Sequence, residues 1–202
     1  MVLNQFRAPF TKLMKPLYAF LAKLGVTPNF ITTIGLAFSI IGGWAFYAHD
    51  YGVAALAILL GGLMDTLDGG VARIRGMVSN HGAFLDSVAD RIGEAAIYIG
   101  LVLGFTEVKN QLAAISLLAA AFSVSYLRAR GEGLGVSLAG IGIMERAERM
   151  TFLFMAGFLG YLIGEVAVVV IVQVLLVLTA ITALHRFVKV YSLLKTTPSE
   201  TL

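Results

Sequence analysis

The sequence predicts an all-α integral membrane protein: six transmembrane helices preceded by an N-terminal amphipathic helix that lies in the membrane interface. Three observations carry that reading. The chain of 202 residues is 58% hydrophobic, with a mean hydropathy of +0.88, against roughly 45–50% apolar residues in soluble domains. Only 13% of its residues are charged, about half the usual share of roughly 25%. The apolar residues also fall in continuous runs approaching the roughly 20 that a helix needs to cross a bilayer, without the period-two alternation of a transmembrane barrel.

Taken in order, residues 1–25 carry the stretch FRAPFTKLMKPLYAFLAKLG. Basic residues punctuate it, so it lacks the apolar core and small-residue cleavage site of a signal peptide. Its lysines and aromatics suit a helix in the interface. The runs 31–47, 53–72, 83–105, 112–126, 150–163 and 166–188 supply the six spans. The fourth and fifth are short as apolar stretches, so polar residues facing protein or water must complete their ends. No linker or repeat divides the chain, and 1–202 reads as a single membrane domain.

Basic residues set the orientation. Arg7, Lys12, Lys15 and Lys23 precede the first span, and Arg73 and Arg75 end the second. Arg128, Arg130, Arg146 and Arg149 border the connection between the fourth and fifth, and Arg186, Lys189 and Lys195 close the sixth. With six spans all of these fall on one side, and the other side offers only Lys109. An excess of Lys and Arg marks the cytoplasmic face, so both termini are expected in the cytoplasm of a cell-membrane protein. The net charge of +3, placed on one side, suits membrane lipid head groups and not nucleic acid. The absence of cysteine excludes disulfide and thiol chemistry.

Against this background the stretch GGLMDTLDGGVARIRG, residues 61–76, stands out. At 100° per residue a helix gathers Asp65, Asp68, Gly69, Ala72 and Arg73 on one side. On the next helix Gly82, Asp86 and Asp90 recur every four residues and form one stripe. The short connection at 76–81 makes the two helices antiparallel neighbours, so the acidic stripes can face each other near the cytoplasmic boundary. Carboxylates in a membrane helix are costly and mark functional sites.

Two unit charges ~4 Å apart repel by about 4 kcal/mol even at an effective dielectric of about 20. Four convergent aspartates therefore need protons, arginine partners or divalent cations. Arg73 and Arg91 reach only some of them, Arg91 being expected to project away from the stripe of Asp90. An oxygen-only ligand set favours a hard ion such as Mg²⁺ or Mn²⁺ over Zn²⁺. Two ions shared among four carboxylates would form a clamp suited to phosphoryl-type displacement. The competing class is a cation or proton transporter, whose acids would be distributed through the bilayer depth and not collected near one surface.

From Asp65 to Asp90 the chain reads D-x2-D-G-x2-A-R-x8-G-x3-D-x3-D, which resembles the signature of the CDP-alcohol phosphotransferases. The resemblance extends to the N-terminal helix, to TPN before the first span, and to a signature region at 61–94 that bridges the second and third spans. It implies that CMP leaves a CDP-linked lipid while an alcohol hydroxyl attacks, with two Mg²⁺ ions on Asp65, Asp68, Asp86 and Asp90, and with Asp90 also the general base. By position it places Gly69, Ala72 and Arg73 at the CDP-lipid site beside Asp68, joined by Pro28, Asn29, Phe30, Ile31 and Ser79. It further implies a homodimer.

The acceptor alcohol is read from a second stretch, residues 126–150. Arg128, Arg130, Arg146 and Arg149 form a basic cluster suited to a phosphorylated acceptor, because guanidinium groups grip phosphate in two-pronged fashion. The element ERAER, residues 145–149, is similar to the inositol-phosphate branch, so the expected acceptor is myo-inositol 1-phosphate, a phosphorylated polyol, with glycerol phosphate as the alternative. Glu94 continues the stripe of Asp90 outside the signature and reads as a structural hydrogen-bonding residue.

Overall fold

The computed structural model describes residues 4–138 and 140–196, and among these the only regular element is the helix. Seven helices follow in order: α1 Asn4–Lys23, α2 Pro28–Tyr47, α3 Tyr51–Arg75, α4 Asn80–Gly104, α5 Val108–Glu132, α6 Arg146–Ile163 and α7 Glu165–Thr196. Five of the six apolar runs lie wholly inside α2, α3, α5, α6 and α7; the third overruns α4 by one residue, its C-cap Phe105. Arg7 and Lys12 lie on α1, but their side chains fall outside the described residues.

Among the described residues four helices are long and apolar enough to cross a membrane: α2, α3, α5 and α7. The other two candidates carry too much charge to qualify by composition. Helix α4 holds Asp86, Asp90, Arg91 and Glu94 in its first half, and α6 opens with Arg146, Glu148 and Arg149. Three of these charges, Asp86, Asp90 and Arg146, line the cleft described below.

Local chemistry sets the helix ends. Thr27 caps α2 by accepting from the Phe30 N–H, and Pro28 occupies the first turn, where no amide donor is needed. Asp50 caps α3 through the Val53 N–H. Gly76 ends α3 in the left-handed conformation at φ 64°, which costs a residue without Cβ little. Three residues on, Ser79 caps α4 by accepting from the Gly82 N–H at 3.1 Å. The tight turn sends the chain back, but α3 and α4 do not pack on each other as the sequence predicts: α2 packs on both of them, so the two acidic stripes meet across a cleft and not along a shared helix seam.

Glycine lets α2 and α4 meet backbone to backbone. A Cβ on Gly43 would collide with the Ala96 carbonyl, and one on Gly100 with that of Gly43. Close approach of this kind, through small residues, is how helices associate where lipid offers no hydrophobic drive. Helix α6 approaches α3 in the same way, Gly157 lying against Ala55. The main core lies among α2–α7 and includes Phe46, Ile97, Tyr98, Leu101, Leu117, Leu153 and Leu175. A smaller cluster of Tyr18, Ile31, Leu67 and Val71 fastens α1 to α2 and α3, with the Tyr18 ring seated on Gly70. Arg75 ties the α1–α2 connection to the end of α3, donating to the carbonyls of Gly25 at 3.0 Å and Val26 at 2.8 Å.

Candidate active site

Helices α2, α3, α4 and the first residue of α6 enclose a cleft lined by Thr32, Gly35, Leu36, Ser39, Gly61, Asp65, Asp68, Asp86, Ala89, Asp90 and Arg146. The lining contains all four signature acids. Carboxylate oxygens of Asp65, Asp86 and Asp90 lie within 4.8 Å of one another. Asp68 stands apart from that trio. It is 7% exposed, and its Oδ2 accepts from Thr32 Oγ1 on α2 at 2.6 Å.

Arg146 enters from α6 and spans two of the acids. Its guanidinium lies 3.3 Å from Asp65 Oδ1 and 2.8 Å from Asp90 Oδ1. Asp90 has a second cationic neighbour, Arg91, at 3.6 Å. The sequence reading turned Arg91 away from Asp90. The correction is physical: consecutive Cβ atoms diverge by 100°, but the long Arg91 side chain bends back far enough to pair with Asp90 and also donates to Ser125 Oγ on α5 at 2.6 Å.

The donor set fits a hard divalent cation. It is made only of carboxylate oxygens, three of them can converge on one point, and Asp86 Oδ1 is buried without a hydrogen-bond partner. A buried carboxylate oxygen in that condition calls for a cation or water.

The residues expected at the CDP-lipid site lie at the N-termini of α2 and α4 and, for Asp68, Gly69, Ala72 and Arg73, in the C-terminal part of α3. Pro28 and Asn29 open α2, and Phe30 is 59% exposed beside them. A Cβ on Gly82 would stand 3.3 Å from Ser79 Oγ and 3.9 Å from Asn29 Oδ1, so these two N-termini converge. The side chain of Ile31 is instead buried in the cluster under α1. Gly69 leaves room for Arg73, whose Nη1 lies 3.5 Å from where a Cβ would be, and Ala72 sits half-buried on the same face.

The four arginines expected at the acceptor phosphate do not gather. Arg146 is in the cleft. Arg128 forms an ion pair along α5 with Glu132 at 2.9 Å, and Arg130 is exposed near the end of that helix. Arg149 departs furthest from the expectation, because it is 1% exposed and locked to Glu94 by two bonds of 2.6 and 2.8 Å. Arg149 shares a face with Arg146 but lies one turn deeper, where an unpaired charge is prohibitively costly.

Three side chains have partners that the sequence does not show. Thr32 is an ordinary polar residue in an apolar run, and only the fold reveals Asp68 as its partner. Glu94 was read as a hydrogen-bonding residue without its partner. Arg186 was assigned to the basic flank, yet it is 2% exposed. It donates to the carbonyls of Ile141 and Val124 at 2.8 and 2.9 Å and pairs with Glu145 at 3.0 Å. A charge inside an otherwise apolar helix was the available signal for Glu94 and Arg186, since each requires a partner.

A sequence model of the CDP-alcohol phosphatidyltransferase family matches residues 25–190. The chain belongs to that family. This phosphatidyltransferase is 40% identical over 166 residues to the phosphatidylinositol phosphate synthase of Streptomyces avermitilis, covering 79% of this chain and 68% of that one. It is 36% identical over 197 residues to the archaetidylinositol phosphate synthase of Methanothermobacter thermautotrophicus, covering 96% of each. Its fold is similar to the crystal structure of Mycobacterium tuberculosis phosphatidylinositol phosphate synthase with CDP-DAG bound, with a TM-score of 0.82 and 28% identity over 95% of this chain and 98% of that one. The form of that synthase in complex with manganese and citrate gives a TM-score of 0.81 at 28% identity, over 94% and 92% of the two chains. The phosphatidyltransferase is thus a transferase of phospholipid synthesis at membranes, and among the described residues Asp65, Asp86 and Asp90 form a group that could hold a metal ion.

Proposed function

We propose that this enzyme transfers the lipid phosphate of a CDP-linked lipid, diacyl or ether, to a hydroxyl of myo-inositol 1-phosphate and releases CMP. The observation that carries the reading is the meeting of Asp65, Asp86 and Asp90 with the guanidinium of Arg146 in one cleft. Carboxylates able to hold cations and an arginine able to hold a second phosphate are the two requirements of a phosphorylated acceptor. The names of the relatives, synthases of inositol phosphate lipids from bacteria and archaea, support the same acceptor.

In this reaction the acceptor oxygen forms a bond to the β-phosphorus as the bond from that phosphorus to the bridging oxygen breaks, and the bridging electron pair leaves with CMP. Two Mg²⁺ ions, held by the four signature aspartates, would supply charge neutralisation at the diphosphate and the leaving group. Asp90 takes the proton of the attacking hydroxyl, as a positioned carboxylate does for a poor nucleophile. Asp68 is oriented by Thr32, which fixes one of its oxygens. Gly69 and Ala72 let the nucleotide approach α3, and Arg73, exposed at its edge, binds phosphate. Asn29 and Ser79 stand where the α2 and α4 N-termini offer positive dipole ends to an anion.

The site lies at the cytoplasmic face of a cell-membrane protein with six spans, α2–α7. Helix α1 rests in the interface, both termini are cytoplasmic, and two copies form a homodimer. Helices α4 and α6 cross the bilayer with their charged turns turned to the cleft. The test is an acceptor screen with purified protein, Mg²⁺ and CDP-diacylglycerol or CDP-archaeol, following CMP. Release with inositol 1-phosphate, and little with free inositol or glycerol phosphate, is expected. Preference for glycerol phosphate would overturn the acceptor assignment, and ion flux without CMP release would overturn the enzyme reading.

A further inference from the structure

Helix α6 begins at Arg146, the residue that reaches Asp65 and Asp90, and its start has no cap of its own: Glu145 makes no side-chain capping bond. An uncapped first turn frays, yet Arg146 must be held where it meets two carboxylates on two other helices. Three restraints hold that turn. The Met144 N–H donates to Thr182 Oγ1 on α7 at 3.1 Å, and Glu145 pairs with Arg186 of the same helix. The third restraint comes from α4. Arg149, in the first turn, binds Glu94 through Nε and Nη2 at 2.6 and 2.8 Å and, through Nη1, the Met144 carbonyl at 3.1 Å.

The chain positions give this pair its meaning. Glu94 lies four residues beyond Asp90 on α4, and Arg149 lies three residues beyond Arg146 on α6. Each pair stacks on one face of its helix, so the two ion pairs, Asp90 with Arg146 and Glu94 with Arg149, sit one above the other. The backbones of α4 and α6 pack mainly elsewhere, α4 on α2 and α5, α6 on α3 and α7. Beside the apolar core they share, the side-chain tie joins them at the level of the cleft. Both charges are 1% exposed, and Tyr98 donates to Glu94 Oε1 at 2.9 Å. Such a pair contributes little net stability compared with well-packed apolar residues, and register is its best-attested use.

We infer that Glu94 and Arg149 are positioning residues, a buried tie that sets the register of α6 against α4 and so places the Arg146 guanidinium over Asp90. The inference rests on Arg146 receiving the acceptor phosphate. Its test replaces both charges by apolar residues, Glu94→Leu with Arg149→Leu, in the native chain and in the Arg146→Ala background. The thermal midpoint of the paired variant is expected to stay near that of the native protein. Its KM for inositol 1-phosphate is expected to rise about tenfold, a misplacement effect, while the KM for CDP-lipid stays unchanged. In the Arg146→Ala background the same pair should add nothing, because there is no guanidinium left to misplace.

An equal rise in both backgrounds, or an unchanged acceptor KM in the folded paired variant, overturns the inference. Should the paired variant not fold, Arg149→Lys keeps the charge but not the two-pronged grip, and is read in the same two backgrounds with the same criteria. If Arg146→Ala alone leaves the acceptor KM unchanged, the acceptor role of Arg146 fails and the tie's purpose fails with it. If Arg146→Ala raises that KM and the pair does not couple to it, only the positioning role falls.

Discussion

Thr32 and Asp68 are 36 positions apart in the chain, yet Thr32 Oγ1 donates to Asp68 Oδ2 at 2.6 Å. This bond joins α2 to α3 at the edge of the cleft and fixes the orientation of the one signature acid that stands outside the convergent trio. Thr32 Oγ1 also lies 3.2 Å from the Pro28 carbonyl, which sets its hydroxyl against the first turn of α2.

Removing that hydroxyl tests its role directly. Thr32→Val leaves the Asp68 carboxylate buried with one oxygen unpaired, which costs about 1–3 kcal/mol. CMP release should fall about tenfold or more, and Thr32→Ser should restore most of it. Equal activity of the Val and Ser variants would show that the orientation of Asp68 is set by other groups.

Cation binding separates the trio from the fourth acid. Asp86→Asn removes a ligand from the convergent set, and Mn²⁺ affinity followed by electron paramagnetic resonance should weaken about tenfold or more. That is in line with losing one charged ligand. Asp65→Asn should behave alike. An affinity unchanged in both variants would place the cation elsewhere.

Asp90→Asn is expected to abolish transfer while the protein remains folded and still binds CDP-lipid. General-base removal typically costs about 10²–10⁴-fold in rate. Turnover near the native rate in this variant would exclude Asp90 as the proton acceptor.

Arg146 and Arg149, three residues apart, should answer differently to truncation. Arg146→Ala is expected to raise the acceptor KM more than the CDP-lipid KM, with thermal stability little changed. Arg149→Ala strands the buried Glu94 and should destabilise the fold by about 3–5 kcal/mol, visible as a large drop in the thermal midpoint in detergent. The reverse pattern would exchange their assignments.

The crossing of α2 and α4 supplies a structural prediction. Gly100→Ala sets a methyl group against the Gly43 carbonyl, where backbone must move. The expected loss is about 1–3 kcal/mol, read from thermal unfolding, with activity per folded molecule reduced because the cleft lies between the same helices.

Much of this was written in local patterns. The apolar runs locate α2–α7 because helix period and run length are properties of neighbouring residues. The stripes of Asp65 with Asp68 and of Asp86 with Asp90 are legible for the same reason, but the turn at 76–81 does not set α3 beside α4, because α2 packs against both. What local patterns do not contain is the partner of a side chain from a distant helix. Arg146 meets Asp65 across 81 positions and Arg149 meets Glu94 across 55. Four arginines near one another in sequence looked like a single cluster. The fold sends one to the cleft, one to the core and two to the end of α5, because each turn of α6 and α5 faces a different neighbour. Among the described residues four helices, not six, qualify as spans by length and composition, since three or more charged residues interrupt each of α4 and α6.

The Tyr18 ring seated on Gly70 ties the opening helix to the catalytic one at the residue next to Gly69. A chain trimmed before residue 24 would therefore forfeit more than its opening helix. It would bare Leu67 and Val71, release the underside of α3, and leave the Arg75 clamp gripping a severed end. The first helix behaves as a splint for the signature, and its removal should be felt by the nucleotide before it is felt by the bilayer.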